Sequence, residues 1–176
     1  MTRSISSSII DLMYDSWNTP NPVSNTFLLN SSIEDLLQSK TVYFSSNRST
    51  LLHVSKLIES ECLKNNLPLL IDIQNEKRFG PSKNRLFKLF QSLPKVILIG
   101  DLNEAKLPQN VSLINCKNNP LEHNWMVLSK NKRGFFGIVC DETSDGEFRG
   151  FFSADPTIMS FVLTKIKFLA SDSFDL

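Results

Sequence analysis

Apolar positions in this chain fall into two kinds of run. TVYFSS at 41–46, LPLLIDIQ at 67–74 and VILIGD at 96–101 are short and nearly continuous, as expected of strands covered on both faces. Between them apolar residues recur at helical spacing. Leu51, Val54, Leu57, Ile58 and Cys62 make one stripe within 49–66, and Ser49 or Thr50 would be its N-cap. Leu86, Phe87, Leu89, Phe90 and Leu93 make a second, after Pro81 at a first helical position. This strand–helix–strand–helix–strand order predicts a parallel set joined by right-handed crossovers.

The pattern then changes. VSLINC (111–116), NWMVLSK (124–130), GFFGIVCDE (134–142) and FRGFFS (148–153) are four strand-like runs whose connections are too short for crossover helices. NKR at 131–133 and TSDGE at 143–147 read as hairpin turns, so this half is expected to be antiparallel. A last helix is signalled by Asp155 as N-cap and Pro156 after it, with Ile158, Met159, Phe161, Val162, Ile166 and Leu169 as its inner stripe.

Residues 1–40 are polar, rich in Ser and Asn, and broken by Pro20 and Pro22. Ile9, Ile10, Leu12 and Met13 suit a short docking helix, and Ser31 and Ser32 before IEDLL suit a helix start; the remainder reads as loop. Neither a repeat nor a linker stands out. The expectation is one α/β domain at 41–176 behind an N-terminal extension at 1–40. Its mixed sheet would be parallel in the first half and antiparallel in the C-terminal half, with helices packed on it and a C-terminal helix.

Composition narrows the function. At 176 residues the chain holds about one domain's core. Thirteen Phe, several of them late, give the C-terminal half much of that core. A net charge of +1 argues against nucleic-acid binding and against a polybasic membrane anchor. One basic stretch lies within 77–100, where Lys77, Arg78, Lys83, Arg85, Lys88 and Lys95 occur without an acid. It suits a solvated helix face or a site for an anion or acidic partner. Cys62, Cys116 and Cys140 are too scattered for a metal or redox motif and read as free, reduced, buried thiols. No apolar run is long enough for a signal peptide or a membrane span, which places the chain in the cytoplasm without membrane insertion.

Catalytic signatures are missing. There is no HExxH, no Gly-x-Ser-x-Gly and no glycine-rich phosphate loop, and His53 and His123 stand alone. Asp141, Glu142, Asp145 and Glu147 lie around an apparent hairpin, where they would keep a turn hydrated. KRGFFGIV at 132–139 has the outline of an RNA-recognition strand but sets Phe136 where a small residue is needed and Gly137 where an aromatic is needed, so Phe135 and Phe136 read as core. What remains is geometric. Ligands of α/β sheets settle beyond the carboxyl ends of parallel strands. Here those ends carry Ser46, Asn47 and Arg48, then Gln74, Asn75 and Arg78, then Asp101 and Asn103. Arg48 and Arg78 suit a carboxylate or phosphate; the same residues also suit ordinary turns and caps.

Several segments in order resemble the DICT family of bacterial sensory domains, abundant in cyanobacteria. They are STLLHVSKLIESE, then LLIDIQNEKRFGPSKNRLFKLFQSLPKVILIGD, then LEHNWMVLSK, then FRGFFSADPTIMSFVLTKI, together spanning about residues 41–170. The family accompanies diguanylate cyclases and two-component systems, and the resemblance implies a non-catalytic regulatory module in signal transduction, including light response. It implies an unidentified small ligand or chromophore, no metal, and a partner such as a histidine kinase, a response regulator or a cyclic-di-GMP enzyme. By position it points to Gln74, Arg78, Phe79 and Trp125. Ile73 departs from it, standing where an aromatic is expected. With little room for an output domain, signalling would run through contact with another protein. Two other readings stand beside this one. A small enzyme of unrecognised type would use Asp72, Asp101 or Asp141 in a cleft, and a structural accessory protein of a larger complex would expose an apolar patch.

Overall fold

The computed structural model describes residue 10 and residues 21–102, 106–171 and 174–176. Helices α1 (Asn25–Asn30) and α2 (Ile33–Ser39) precede strand β1 (Thr41–Asn47) and the long helix α3 (Arg48–Asn65). Strand β2 (Leu69–Asn75) leads into the one-turn α4 (Glu76–Phe79), then α5 (Lys83–Gln91) and β3 (Val96–Asp101). Strands β4 (Val111–Ile114), β5 (Asn124–Asn131), β6 (Gly134–Ser144) and β7 (Glu147–Ser153) follow, and α6 (Pro156–Ala170) closes the fold.

All seven strands join one mixed sheet in the order β1-β7-β6-β5-β2-β3-β4. β2, β3 and β4 are parallel neighbours, while β5, β6 and β7 form an antiparallel meander. Single-domain mixed α/β architecture with a C-terminal helix is therefore as expected, but two placements are not. β1 does not lie beside β2. It pairs along its whole length with β7, from Thr41↔Ser153 to Asn47↔Glu147, and β5 occupies the edge of β2 that β1 was expected to fill. An apolar strand satisfies its backbone equally well with either neighbour, so order along the chain does not choose. The four antiparallel steps between β1 and β2 leave the two strands running the same way, so their carboxyl ends still meet one edge of the sheet. β4 was expected in the antiparallel half; it extends the parallel set instead, with Val96↔Val111.

Strand alternation splits the core into two layers. Val42, Phe44, Ile71, Trp125, Val127, Ile138 and Phe152 face α3 and α5. Tyr43, Leu70, Ile97, Met126, Leu128, Val139 and Phe151 face α6. Phe136, Phe148, Phe151 and Phe152 are fully or almost fully buried, so the late phenylalanines do form core. Cys62, Cys116 and Cys140 are free and buried.

Local signals place most helix ends. Ser32 and Asp35 form a capping box, and Asp155 Oδ1 accepts from the N–H groups of Thr157 and Ile158 at 2.9 and 3.1 Å. The hairpins turn at Lys132 and Arg133 and at Asp145 and Gly146. Two details differ from expectation. Asn47, not Ser49 or Thr50, caps α3, because β1 runs on to Asn47 and its amide oxygen takes the Thr50 N–H at 2.9 Å. Residues 25–30, expected as loop, form α1, with Ser24 accepting from Phe27 N–H. The helix expected over 9–13 lies outside the described residues except for Ile10, which is helical and fully buried in the α6 layer. No described helix is long and apolar enough to cross a membrane.

Candidate functional site

The site lies where α3 starts and β2 ends, on the α3 side of the sheet. Arg48, the first residue of α3, sets its guanidinium 5.5 Å from the centre of the Trp125 ring on β5. Trp125 is braced edge-on by Phe148, with ring centres 5.3 Å apart. β2 breaks register between Asp72 and Asn75, and Gln74 takes a left-handed φ of 66°. Leu70 and Asp72 precede it on the α6 side, so strict alternation would aim Gln74 there too. The bulge turns it instead toward Glu142, whose Oε2 accepts from Gln74 Nε2 at 3.3 Å. Asn75 then caps α4 by accepting from the Arg78 N–H at 3.1 Å. That turn presents Arg78, which forms ion pairs with Glu142 and, at 3.2 Å, Asp145.

These groups open onto a small cavity of about 40 Å³. One stripe of α3 lines it, with Arg48, Leu52, Ser55 and Glu59 at i, i+4, i+7 and i+11. Gln74 comes from the end of β2, Arg78 and Phe79 from α4, Arg85 from α5, and Trp125 from the sheet. Glu59 is 5% exposed and pairs with Arg85. Burial pushes its carboxyl above the usual range, against the pull of Arg85. Arg48 shows the opposite response. Burial, and then the Arg78 guanidinium nearby, hold its pKa below the ordinary guanidinium value, with Glu142 opposing. Among the described residues Arg48 has no ion-pair partner. The wall is therefore cationic at Arg48 and charge-matched at Arg78 and Arg85.

Five expected residues, Arg48, Gln74, Arg78, Phe79 and Trp125, thus line one cavity. The other four are not in its lining. Ser46 Oγ donates to Asn25 Oδ1 at 2.6 Å, Asn47 and Asn75 are occupied as helix caps, and Asp101 ends β3 opposite Asn75. Asn103 lies outside the described residues. The sequence reading missed Ser55 and Glu59, although the spacing of Arg48, Ser55 and Glu59 already marks a polar stripe beside the apolar one, and it named Arg85 only within the basic stretch at 77–100. It also took the acids at 141–147 as hydrating a turn. Asp141 is instead 7% exposed and accepts from Arg149 Nε at 3.1 Å, and Glu142 takes hydrogen bonds from Gln74, Arg78 and the Gly146 N–H. Asp72 is fully buried on the α6 side; its Oδ1 accepts from the Gln74 N–H at 3.0 Å, and Oδ2 meets no partner among the described residues. That burial pushes its carboxyl well above the usual range, against the Gln74 N–H.

No family model matches the chain, and no curated protein matches it either. Among solved structures, a polyphosphate kinase from Porphyromonas gingivalis is similar, with a TM-score of 0.50 and 12% identity over 76% of this chain. The match spans 23% of the kinase chain, less than a quarter of its length, and at this identity it is a likeness of fold alone.

Proposed function

We propose that this chain is a non-catalytic sensory module of bacterial signal transduction. It binds a small ligand through an anionic group held by Arg48 and Arg78 and passes occupancy on to a partner protein, such as a histidine kinase, a response regulator or a cyclic-di-GMP enzyme. Three adjacent strand ends do not form the site, since β1 lies apart from β2. One observation carries it instead: Arg48 sits half-buried on Trp125, near a second guanidinium, with no acid of its own among the described residues. A bound carboxylate or phosphate would relieve that repulsion and gain charge-assisted hydrogen bonds. The sensory role and the partner class rest on the DICT resemblance.

Calorimetric titration with acetate, butyrate, orthophosphate and a short polyphosphate at fixed ionic strength tests the binding claim. The last two probes are included because the similar fold belongs to a polyphosphate kinase. Saturable binding is expected for at least one anion, weakened about 10- to 100-fold in Arg48→Ala, the range set by loss of a hydrogen bond to a charged group. Mass spectrometry and an absorption spectrum of the natively purified protein test for a resident ligand or chromophore. No saturable binding and no co-purified molecule would overturn the proposal.

The small-enzyme reading keeps one feature, the buried Asp72 carboxyl. Asp72 belongs to the opposite layer and is not in the cavity lining, so the geometry favours binding. The accessory-protein reading has Phe27, Leu29, Leu63 and Phe168 as exposed apolar groups, spread over α1, α3 and α6.

A further inference from the structure

One end of the cavity is chemically unlike the other. Ser55 is 1% exposed and Glu59 5% exposed, both belong to the lining, and Ser55 Oγ and Glu59 Oε1 meet no hydrogen-bond partner among the described residues. Arg85 engages Glu59 through Oε2, which fixes the carboxylate and leaves Oε1 aside. A buried acceptor of this kind is costly unless something donates to it. At the other end stand Arg48 and Arg78. The two ends share one stripe of α3, on which Arg48 and Glu59 are eleven residues apart. The space is small. A water-sized group needs roughly 10–15 Å³ on this measure. The cavity of about 40 Å³ therefore takes about three or four such groups and nothing bulky.

We infer that the site takes a short linear organic acid whose far end carries a hydrogen-bond donor, either an ammonium or a hydroxyl. The carboxylate lies between Arg48 and Arg78, and the donor meets Glu59 Oε1 and Ser55 Oγ. Leu52, Leu86 and Ile71 line the cavity as well and suit the methylene chain between the two ends. An acid with a plain alkyl tail would leave Glu59 Oε1 buried without a donor, and an α-amino acid would hold its two charged groups too close together to reach both ends. The inference rests on the anion site of the preceding section and adds the class of ligand to it.

The experiment is calorimetric titration of the full chain with 4-aminobutyrate, 4-hydroxybutyrate, butyrate and glycine at one ionic strength. At least one of the two donor-bearing acids is expected to bind about tenfold or more tighter than butyrate, and glycine more weakly than either. Their ranking identifies the donor. If the ammonium is the donor, Glu59→Gln should bring 4-aminobutyrate to within about twofold of butyrate; if the hydroxyl is, Ser55→Ala should do so for 4-hydroxybutyrate. Ser55→Ala also serves for both ligands if Glu59→Gln does not fold. Butyrate binding as tightly as the donor-bearing acids, with loss in Arg48→Ala, would overturn this inference and leave the anion site standing. Absence of binding by all four probes would overturn this inference; absence with acetate, orthophosphate and polyphosphate as well, and no co-purified molecule, would remove the anion site too.

Discussion

Asp72 is the residue whose burial is hardest to reconcile with its chemistry. Its carboxyl lies in the α6 layer with no solvent contact, yet it holds the backbone N–H of Gln74, the residue that faces the cavity on the other side of the sheet. A left-handed non-glycine residue such as Gln74 costs about 1–2 kcal/mol, and the Asp72 contact helps offset it. Its pH signature follows from the raised pKa. The folded carboxyl keeps its proton above the ordinary value of 3.8, where the unfolded one has lost it. The folded state then binds more protons, so stability falls as pH rises from that value toward the folded pKa, by up to about 1.4 kcal/mol per pH unit. Asp72→Asn lacks this dependence. The stability of the natural chain relative to Asp72→Asn, measured by urea unfolding, is expected to decline as pH rises above the ordinary value of 3.8; parallel profiles would show that Asp72 titrates normally. Such a residue was legible only as an acid within an apolar run. That it sits beneath Gln74 follows from the bulge, which no local signal announced. Arg48, Gln74 and Arg78 were legible from their places at strand ends, and Phe79 and Trp125 were named only through the resemblance. Glu142 was not, because its partner Arg78 is 64 residues away in sequence.

Elements were read well where their chemistry is local. A cap or a two-residue turn is decided by groups within four positions of each other, so Ser32, Asp155 and the Asp145 and Gly146 turn declare themselves. Gly137 shows the limit. It lies inside β6 with φ 149°, and a Cβ there would collide with the Val127 carbonyl on β5. The sequence shows a glycine in a strand; the positive φ and the approach of β5, both set by the fold, make it necessary. Gly137→Ala is expected to destabilise by at least about 2 kcal/mol, by chemical denaturation. Gly80→Ala is its control: a Cβ there meets nothing within 4 Å and φ is −46°, and a change within about 0.5 kcal/mol is expected. Equal effects would mean that β5 and β6 are less closely apposed than described.

In the molecule as a whole, one sheet divides two apolar layers, and every central strand contributes side chains to both. Neither layer can persist without the other, so unfolding is expected to be a single transition. With Trp17 replaced by Phe, Trp125 is the sole tryptophan, and its fluorescence reports the α3 layer while far-UV circular dichroism reports the whole chain. Coincident urea midpoints are expected; separated ones would mean that the layers melt independently. Periodicity, caps and turn residues were enough to define the strands, most of the helices, the hairpins and the α/β class, because each depends on neighbours along the chain. They were also enough to pick out Arg48 and Arg78 as cations at strand ends. Which strands lie side by side, which acid faces which arginine, and that α3 and the end of β2 enclose a common cavity were decided by packing. Backbone hydrogen bonds are nearly the same for any strand pairing, and the choice among pairings falls to side chains far apart in sequence, which meet only once both faces of the sheet are covered.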